Sequence, residues 1–216
     1  MWPHNSTPDR SARRAADYCR NPKMARKYEL KRRAIRQDAT RQKIVSAAVD
    51  LHCSVGPMRT SILAIAERAG VERPTVYRHF PTLDALHDAS AARFRAANPF
   101  PDPGLWSEIA DPEARLRRGL SEIYEFFDRL APALWNILRD IEDTPSLQRI
   151  WAEHAADWDR MRETLAVPFN GSGVRRDRLD AALRHAVDFF AWRASRRHGL
   201  SNDDIVDLMA GMVRGL

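Results

Sequence analysis

Cysteine is scarce in this sequence, and the hallmarks of secreted and membrane proteins are missing. Only Cys19 and Cys53 occur among 216 residues, which is too few for a disulfide framework and too isolated for a thiolate metal site. No apolar run approaches the roughly 18 residues that a membrane-spanning helix needs. The arginine-rich N-terminus lacks the apolar segment of a secretory signal. The sequence therefore predicts a cytoplasmic protein without a membrane partner.

Motifs of the common enzyme classes are also missing. The sequence contains no nucleophile elbow, P-loop, dinucleotide fingerprint or HExxH zinc motif. Two His-x-x-Asp pairs, His154 with Asp157 and His185 with Asp188, could each present an imidazole and a carboxylate on one helix face. Such pairs are more often solvated than metal-binding. We therefore predict no enzymatic activity, no cofactor and no bound metal.

No segment has the alternation of a strand, and none is repeated. Apolar residues at helical spacing, punctuated by proline and glycine, predict an all-α fold. We expect helices at about residues 38–55, 61–69, 73–79, 83–97, 113–129, 132–142, 145–166, 174–198 and 202–214. Asp38, Asp111, Thr144 and the capping box Ser201–Asp204 supply helix starts, and Pro132 is expected to separate two helices.

Positive charge is concentrated at the N-terminal end. Residues 1–43 carry thirteen Lys and Arg against four Asp and Glu, whereas residues 98–216 carry sixteen against twenty. We expect residues 1–36 to be a flexible basic extension that either contacts a polyanion or is only solvated. Met24 could itself be a translation start, in which case residues 1–23 are not part of the working protein.

Residues 62–79 have the requirements of a helix-turn-helix. Ala66 supplies a small residue where two helices touch, and Gly70 supplies a turn residue that accepts positive φ. Pro74 is tolerable because it would lie in the first turn of the second helix. The apolar residues that would pin the helices together are Ile62, Ile65, Val71 and Val76. The alternative is an ordinary helical hairpin with a glycine turn.

The segment from Thr40 to Leu86 resembles the tetracycline-repressor (TetR) family of bacterial regulators. The resemblance lies in three runs: Arg41-Gln-Lys-Ile-Val-Ser-Ala-Ala-Val-Asp-Leu51, Thr60-Ser-Ile-Leu-Ala-Ile-Ala-Glu-Arg-Ala-Gly-Val71 and Thr75-Val-Tyr-Arg-His-Phe-Pro81. The sequence departs from the common pattern at four positions: His52 replaces a usual Phe, Pro57 an aromatic residue, Glu72 a frequent Ser and Leu83 a frequent Lys.

The side chains of the second helix suggest how DNA would be read. Arg73, Thr75 and Arg78 could reach base edges in the major groove. The resemblance implies phosphate contacts from Tyr77 and His79, and from Thr60 or Ser61. The alternative for Tyr77 and His79 is a structural pair that packs between helices. The predicted DNA-binding residues are Thr60, Ser61, Arg73, Pro74, Thr75, Tyr77, Arg78 and His79.

Aromatic residues are concentrated beyond residue 100. They could line a ligand cavity between helices or simply fill a core, and the resemblance implies an effector pocket. The candidate pocket residues are Tyr124, Phe127, Trp135, Trp151, Trp158 and Phe190. Apolar stripes in the last helices either form a dimer interface or face their own core; the candidates for the interface are Leu183, Val187, Ala194, Leu208 and Met212.

These observations predict three parts: a basic extension at 1–36, a three-helix helix-turn-helix DNA-binding domain at 37–82, and a larger helical ligand-binding and dimerisation domain at 83–216. The predicted function is a homodimeric, sequence-specific transcriptional regulator. We expect it to repress from a palindromic site on double-stranded DNA until a small-molecule effector releases it. The alternative is a helical small-molecule-binding or interaction protein with weak, non-specific DNA binding.

Overall fold

The computed structural model describes residues 22–167, 169 and 173–215. Every regular element in these ranges is helical, which confirms the predicted all-α fold. The chain divides into two compact units, one ending at Ile44 and the other beginning at Val45. The domain bounds expected from the sequence, after residues 36 and 82, stay predictions.

Helix α1, Pro22–Ser54, begins well before Asp38, so the expected helix start was wrong. Residues 24–39 of the first unit form an exposed stretch of this helix, on which even Tyr28, Leu30 and Ile35 are exposed. Apolar periodicity could not reveal this helix, because it buries no continuous face here. Its Lys, Arg, Ala, Glu and Gln residues favour helix by intrinsic propensity alone. Residues 1–21 of the expected extension lie outside the described residues.

Three short helices follow a single 3₁₀ turn at Pro57–Arg59: α2, Ile62–Ala69; α3, Arg73–His79; and α4, Leu83–Ala97. Ser61 caps α2 by accepting a hydrogen bond from the amide of Ala64 (3.1 Å). Gly70 ends α2 in the left-handed conformation, at φ 65°, as the helix-turn-helix pattern requires. The buried hydrophobic residues that form the core of this part of the second unit are Val45, Ala47, Ala48, Ile65, Ala66, Val76, Phe80 and Leu86.

Seven further helices form the remainder of the second unit. They are α5, Pro103–Ser107; α6, Pro112–Arg139; α7, Pro145–Glu153; α8, Ala155–Ala166; α9, Val174–Ala186; α10, Phe189–Arg197; and α11, Asn202–Arg214. Helix α6 packs against α5, α8, α10 and α11. Its inward face contributes Leu116, Leu120, Ile123, Tyr124, Phe126 and Phe127 to one continuous core.

The structure corrects several expected helix ends. Pro132 does not end a helix, because α6 continues through it; buried residues on both sides of it, such as Phe127 and Leu134, offset the one backbone hydrogen bond that proline removes. The helix expected at 145–166 is divided at His154. The helix expected at 174–198 is divided where Asp188 caps α10 by accepting from the amide of Ala191 (2.8 Å).

The expected caps at Asp111 and at Ser201–Asp204 are confirmed. Asp111 accepts a hydrogen bond from the amide of Ala114 (2.7 Å), and Ser201 and Asp204 form a reciprocal capping box. Thr144 does occupy the N-cap of α7, but its hydroxyl makes no capping hydrogen bond. The start of α7 therefore depends on Pro145 in the first turn rather than on a side-chain cap.

The C-terminal end of α6 holds the end of α1 and the turn that follows it. The side-chain amide of Asn136 donates to the carbonyl oxygens of Cys53 (2.9 Å) and Ser54 (3.0 Å). Arg139 donates to the carbonyl of Val55 (3.1 Å). The buried carboxylate of Asp140 accepts from the amide of Met58 (3.0 Å). These bonds satisfy backbone groups that a helix end leaves without partners, and we call Asn136, Arg139 and Asp140 the α6 clamp.

Gly56 lies under the α6 clamp in a conformation that only glycine adopts readily, at φ 99° and ψ 152°. A Cβ atom there would lie 2.5 Å from Oδ2 of Asp140 and nearer still to the guanidinium of Arg139. Gly70 also has positive φ, but a Cβ there would meet nothing within 4 Å. Substitution of Gly56 therefore introduces both backbone strain and steric crowding, whereas substitution of Gly70 introduces backbone strain alone.

We predict that Gly56→Ala lowers the free energy of unfolding by about 2–4 kcal/mol, because it adds crowding to backbone strain. The matched control, Gly70→Ala, should cost only about 1 kcal/mol, since it meets strain alone. Urea unfolding of both variants measures the difference. Equal losses at the two sites would contradict the structural role of the α6 clamp.

Candidate functional site

The outward face of α3 carries the residues expected to read DNA. Val76 is fully buried and anchors the helix, whereas Arg73, Tyr77 and Arg78 are exposed and Thr75 is half-buried. The guanidinium of Arg73 lies 5.5 Å from the centre of the Tyr77 ring and donates to its hydroxyl (3.1 Å). The arrangement holds a cation and a phenol together on the surface.

The other predicted DNA contacts surround this face. Pro74 lies exposed in the first turn of α3. Thr60 donates its hydroxyl to the carbonyl of Gly56 (2.8 Å), and the exposed Ser61 caps α2. His79 is half-buried, so a packing role stays open for it. Tyr77, at 43% exposure, does not pack between helices.

Two departures from the family pattern lie beside the same face. Glu72 is exposed at the N-cap of α3 and makes no side-chain capping bond. Leu83 is exposed in the first turn of α4. An acidic and an apolar side chain therefore stand where a polyanion would approach.

Among the described residues of the first unit, exposed basic side chains are Arg26, Lys27, Lys31, Arg32, Arg33, Arg36, Arg41 and Lys43.

A cavity of about 660 Å³ lies within the second unit, between α1, α4, α6, α7, α8, α9 and α10. Four of the six residues expected to line a pocket do line it: Phe127, Trp151, Trp158 and Phe190. Tyr124 does not; it is fully buried, and its hydroxyl donates to the carbonyl of Ala186 (2.8 Å). Trp135 does not line the cavity either; the centre of its ring lies 3.8 Å from the guanidinium carbon of Arg193.

Two histidines in the cavity wall were missed by sequence reasoning. His52 on α1 is 6% exposed and His87 on α4 is 3% exposed, and their ring centres are 5.3 Å apart in an edge arrangement. His87 Nδ1 lies 2.7 Å from the hydroxyl of Ser146, and His52 Nδ1 lies 3.3 Å from that of Ser90. Neither Nε2 atom has a hydrogen-bond partner in the described part of the chain. The available signal was His52 at a position where phenylalanine is usual.

Burial controls the charge of both histidines. It lowers the pKa of His52 to about 4, with a further contribution from His87, and it also lowers the pKa of His87. Both rings are therefore uncharged at neutral pH. The indole Nε1 of Trp158, also in the wall, is buried without a hydrogen-bond partner among the described residues. The cavity thus combines aromatic walls with a few polar atoms, as ligand pockets do.

The two His-x-x-Asp pairs have other partners. His154 and Asp157 both contact Arg95, which lies 3.3 Å from the Asp157 carboxylate. His185 is exposed, and Asp188 is engaged as a helix cap. Across residues 22–167, 169 and 173–215, no three side chains of metal-ligating type lie together. Within these same ranges no helix is both long and apolar enough to cross a bilayer.

The five residues expected at a dimer interface separate into two groups. Leu183, at 1% exposure, and Val187 are buried in the core of their own chain. Leu208 is 53% exposed, and Met212 and Ala194 are exposed as well. Helix α11 turns Ile205, Met209 and Val213 inward, which leaves Leu208 and Met212 on its outer face.

Comparison with known proteins is consistent with this geometry. Residues 44–89 match the family model of bacterial regulatory proteins of the tetR family. No curated protein matches this sequence. Among solved structures, the chain is similar to HlyIIR, a hemolysin II transcriptional regulator, with 18% identity, a TM-score of 0.58, and coverage of 83% of this chain and 98% of that one.

Two further structures have the same fold. A putative TetR-family regulator from Mesorhizobium loti shows 20% identity and a TM-score of 0.57, with 83% of this chain and 96% of that chain covered. NalD, the secondary repressor of the MexAB-OprM multidrug efflux pump in Pseudomonas aeruginosa, shows 24% identity and a TM-score of 0.55, with the same coverage of 83% and 96%. At these identities the likeness concerns the fold.

From the lowered pKa of His52 we predict how the free energy of unfolding depends on pH. The folded-state pKa of His52, about 4, lies below its ordinary value of 6.5. Between these two pH values the His52 ring is protonated in the unfolded chain but neutral in the folded protein. The free energy of unfolding should therefore fall as the pH falls from about 6.5 towards about 4. Replacing His52 with phenylalanine should reduce this loss between pH 7 and pH 5 by about 2 kcal/mol. Urea unfolding at both pH values tests it, and an unchanged loss in His52→Phe would contradict it.

Proposed function

Because the chain belongs to the tetR family of bacterial regulatory proteins through its residues 44–89, we propose that it represses transcription as a homodimer. In this proposal it binds a palindromic operator and leaves it when a small molecule enters the cavity. The observation that carries the proposal is the outer face of α3, where Arg73, Tyr77 and Arg78 are exposed around a buried Val76.

The contacts of α3 follow from its side chains. Arg78, whose guanidinium lies 3.5 Å from the Thr75 hydroxyl, is suited to bidentate contact with a guanine, and Thr75 to polar or methyl contact with a neighbouring base. Tyr77, His79 and the hydroxyls of Thr60 and Ser61 would contact phosphates, which fix the register of the protein on the duplex. Arg73, held by Tyr77, adds a cation to the same face.

The exposed basic residues of the first unit would add affinity without base recognition. Lysines and arginines on a helix release counterions from DNA and make binding sensitive to salt. This contribution supports binding to many sequences, whereas α3 would select among them. Specificity must therefore be measured near physiological salt.

A two-fold operator requires a two-fold protein. The exposed positions Ala194, Leu208 and Met212 support an interface on α10 and α11. We exclude Leu183 and Val187 from it, because side chains buried in their own core have no surface for a partner subunit.

Release by an effector is supported by the position of the cavity. Its wall includes His52 and Cys53 near the end of α1, and Leu134, Ile137 and Leu138 on α6. The α6 clamp joins these same two helix ends immediately before α2. A ligand that displaces either wall would therefore move the support of α2 and α3.

A second candidate function is a ligand-binding protein with weak, non-specific affinity for DNA. It is favoured by the exposed Leu83 and Glu72, which supply no attraction for phosphate beside α3. The two candidates differ in whether binding depends on α3.

We predict that selection from a random duplex pool, at about physiological salt, enriches a palindrome with half-sites about one helical turn apart. Thr75→Ala/Arg78→Ala should lose this enrichment and bind the selected site at least tenfold more weakly, since each base contact contributes about 1–3 kcal/mol. Arg175→Ala, an exposed arginine on α9, is the matched control and should behave as wild type. Loose binding by wild type and variant alike, without an enriched site, would support the second candidate.

We predict that Leu208→Glu/Met212→Glu produces a monomer in sedimentation experiments, because two carboxylates per subunit would be buried at the interface. The same variant should lose affinity for the full palindrome while its thermal unfolding stays close to wild type. Leu105→Glu, an equally exposed leucine on α5, controls for the added charge. A persistent dimer in the double variant would place the interface elsewhere.

A further inference from the structure

The cavity contains two buried histidines whose Nε2 atoms lack partners, and this feature allows its ligand to be described chemically. A buried polar atom without a hydrogen bond destabilises the folded protein. His52 and His87, which both line the cavity, each bear one such atom, and both residues are more than nine-tenths buried. A molecule that forms hydrogen bonds with these atoms would remove that penalty.

The hydrogen bonds of Ser90 fix the proton on His52. The Ser90 hydroxyl donates its single hydrogen to the carbonyl oxygen of His87 (2.9 Å). Towards His52 Nδ1, 3.3 Å away, it can therefore only accept. The proton of the neutral His52 ring must lie on Nδ1, and its Nε2 is a bare acceptor. A ligand group that meets His52 must consequently be a donor, an O–H or an N–H.

His87 extends this requirement to an adjacent polar atom. Its ring is 5.3 Å from that of His52, centre to centre. When the Ser146 hydroxyl donates to His87 Nδ1, at 2.7 Å, the proton of His87 lies on Nε2, which then donates. A hydroxyl is the small group that can donate to one ring and accept from the other. An ether oxygen can accept but cannot donate.

The remaining walls select an apolar, aromatic body. Phe100 lies 5.2 Å and Phe127 5.9 Å from the Trp158 ring, centre to centre, and both line the cavity with it. These tilted arrangements present ring edges and faces to which a flat ligand can pack. A volume of about 660 Å³ is suited to a ligand of drug size.

Charge in the wall argues against an anion. Both histidines are neutral, because burial lowers their pKa values. The arginines of the wall already have carboxylate partners: Arg95 with Asp157, Arg162 with Asp159 and Arg184 with Asp180. A buried carboxylate would therefore find no free cation among these side chains, and its desolvation would be uncompensated.

We propose that the cavity binds a neutral aromatic hydroxyl compound, whose O–H donates to Nε2 of His52 while its rings pack among Phe100, Phe127 and Trp158. The further step, that this compound is the effector, rests on the proposed function. His52 is one residue before Cys53, whose carbonyl accepts from the α6 clamp. An occupied cavity would thus act directly on the support of α2.

The test compares three biphenyls of similar size at pH 7.5: 4-phenylphenol, 4-methoxybiphenyl and biphenyl-4-carboxylate. Quenching of the tryptophan fluorescence, with calorimetry as a second readout, gives each Kd. We expect 4-phenylphenol to bind about tenfold more tightly than the ether, because only the phenol can donate to His52, and more tightly again than the carboxylate. Equal Kd values for phenol and ether, or no binding of any biphenyl, would overturn the proposal.

Two variants assign the preference to His52. His52→Phe keeps a ring of similar size and should abolish the preference for the phenol, while the ether binds at least as well as before. Ser90→Ala removes the acceptor at Nδ1, frees the His52 proton to move to Nε2, and should also reduce the preference. His185→Phe, at an exposed histidine on α9, is the matched control and should keep it. A preference that survives in His52→Phe would overturn the assignment.

Operator binding in the same samples separates this inference from the proposed function. If the wild type prefers the phenol but selects no operator, the proposed function fails and the ligand site stands. If it selects an operator but binds phenol and ether equally, the inference fails and the DNA-binding function stands. If it does both, saturating 4-phenylphenol should weaken operator affinity in the wild type, and His52→Phe should respond equally to phenol and ether.

Discussion

The α6 clamp is the constraint on which the rest of the second unit depends. Asn136, Arg139 and Asp140 satisfy the carbonyls at the end of α1 and the amide of Met58 in the turn before α2. Gly56 is forced into a conformation unfavourable to other residues so that the turn can pass beneath these side chains. Helices α2 and α3 consequently begin from a point fixed by α6.

This arrangement explains how one small domain could respond to a distant ligand. The cavity lies between the same two helices, α1 and α6, whose ends are joined by the clamp. A change in either wall can reach α2 through hydrogen bonds rather than through a deformable core, and packed interiors transmit such displacements well. Of the two buried histidines in the cavity wall, His52 lies on α1 and His87 on α4. In the proposed function, a ligand at the α1 wall would therefore act on α2 and α3 through the α6 clamp.

Much of the helix-turn-helix could be predicted because its determinants are local. Gly70 ends α2, Pro74 opens α3, and Val76 faces inward while Arg73 and Arg78 face outward, all from spacing within eighteen residues. The start of α1 was predicted wrongly because an exposed helix has no apolar period. The breaks at His154 and Asp188 were also missed, since apolar residues continue on both sides and tertiary packing decides where a helix bends.

The sequence by itself determined the all-α class, the outward face of α3 and the concentration of positive charge at one end, because each follows from residues close together in the chain. Tertiary structure alone decided which aromatic residues line the cavity. Tyr124 and Trp158 are both buried aromatic residues on helices, yet the first donates a hydrogen bond to the carbonyl of Ala186 and the second lines the cavity. The pairing of His52 with His87 was likewise decided by packing. A helix face shows that a residue is turned inward, but only the neighbouring helices determine what it meets.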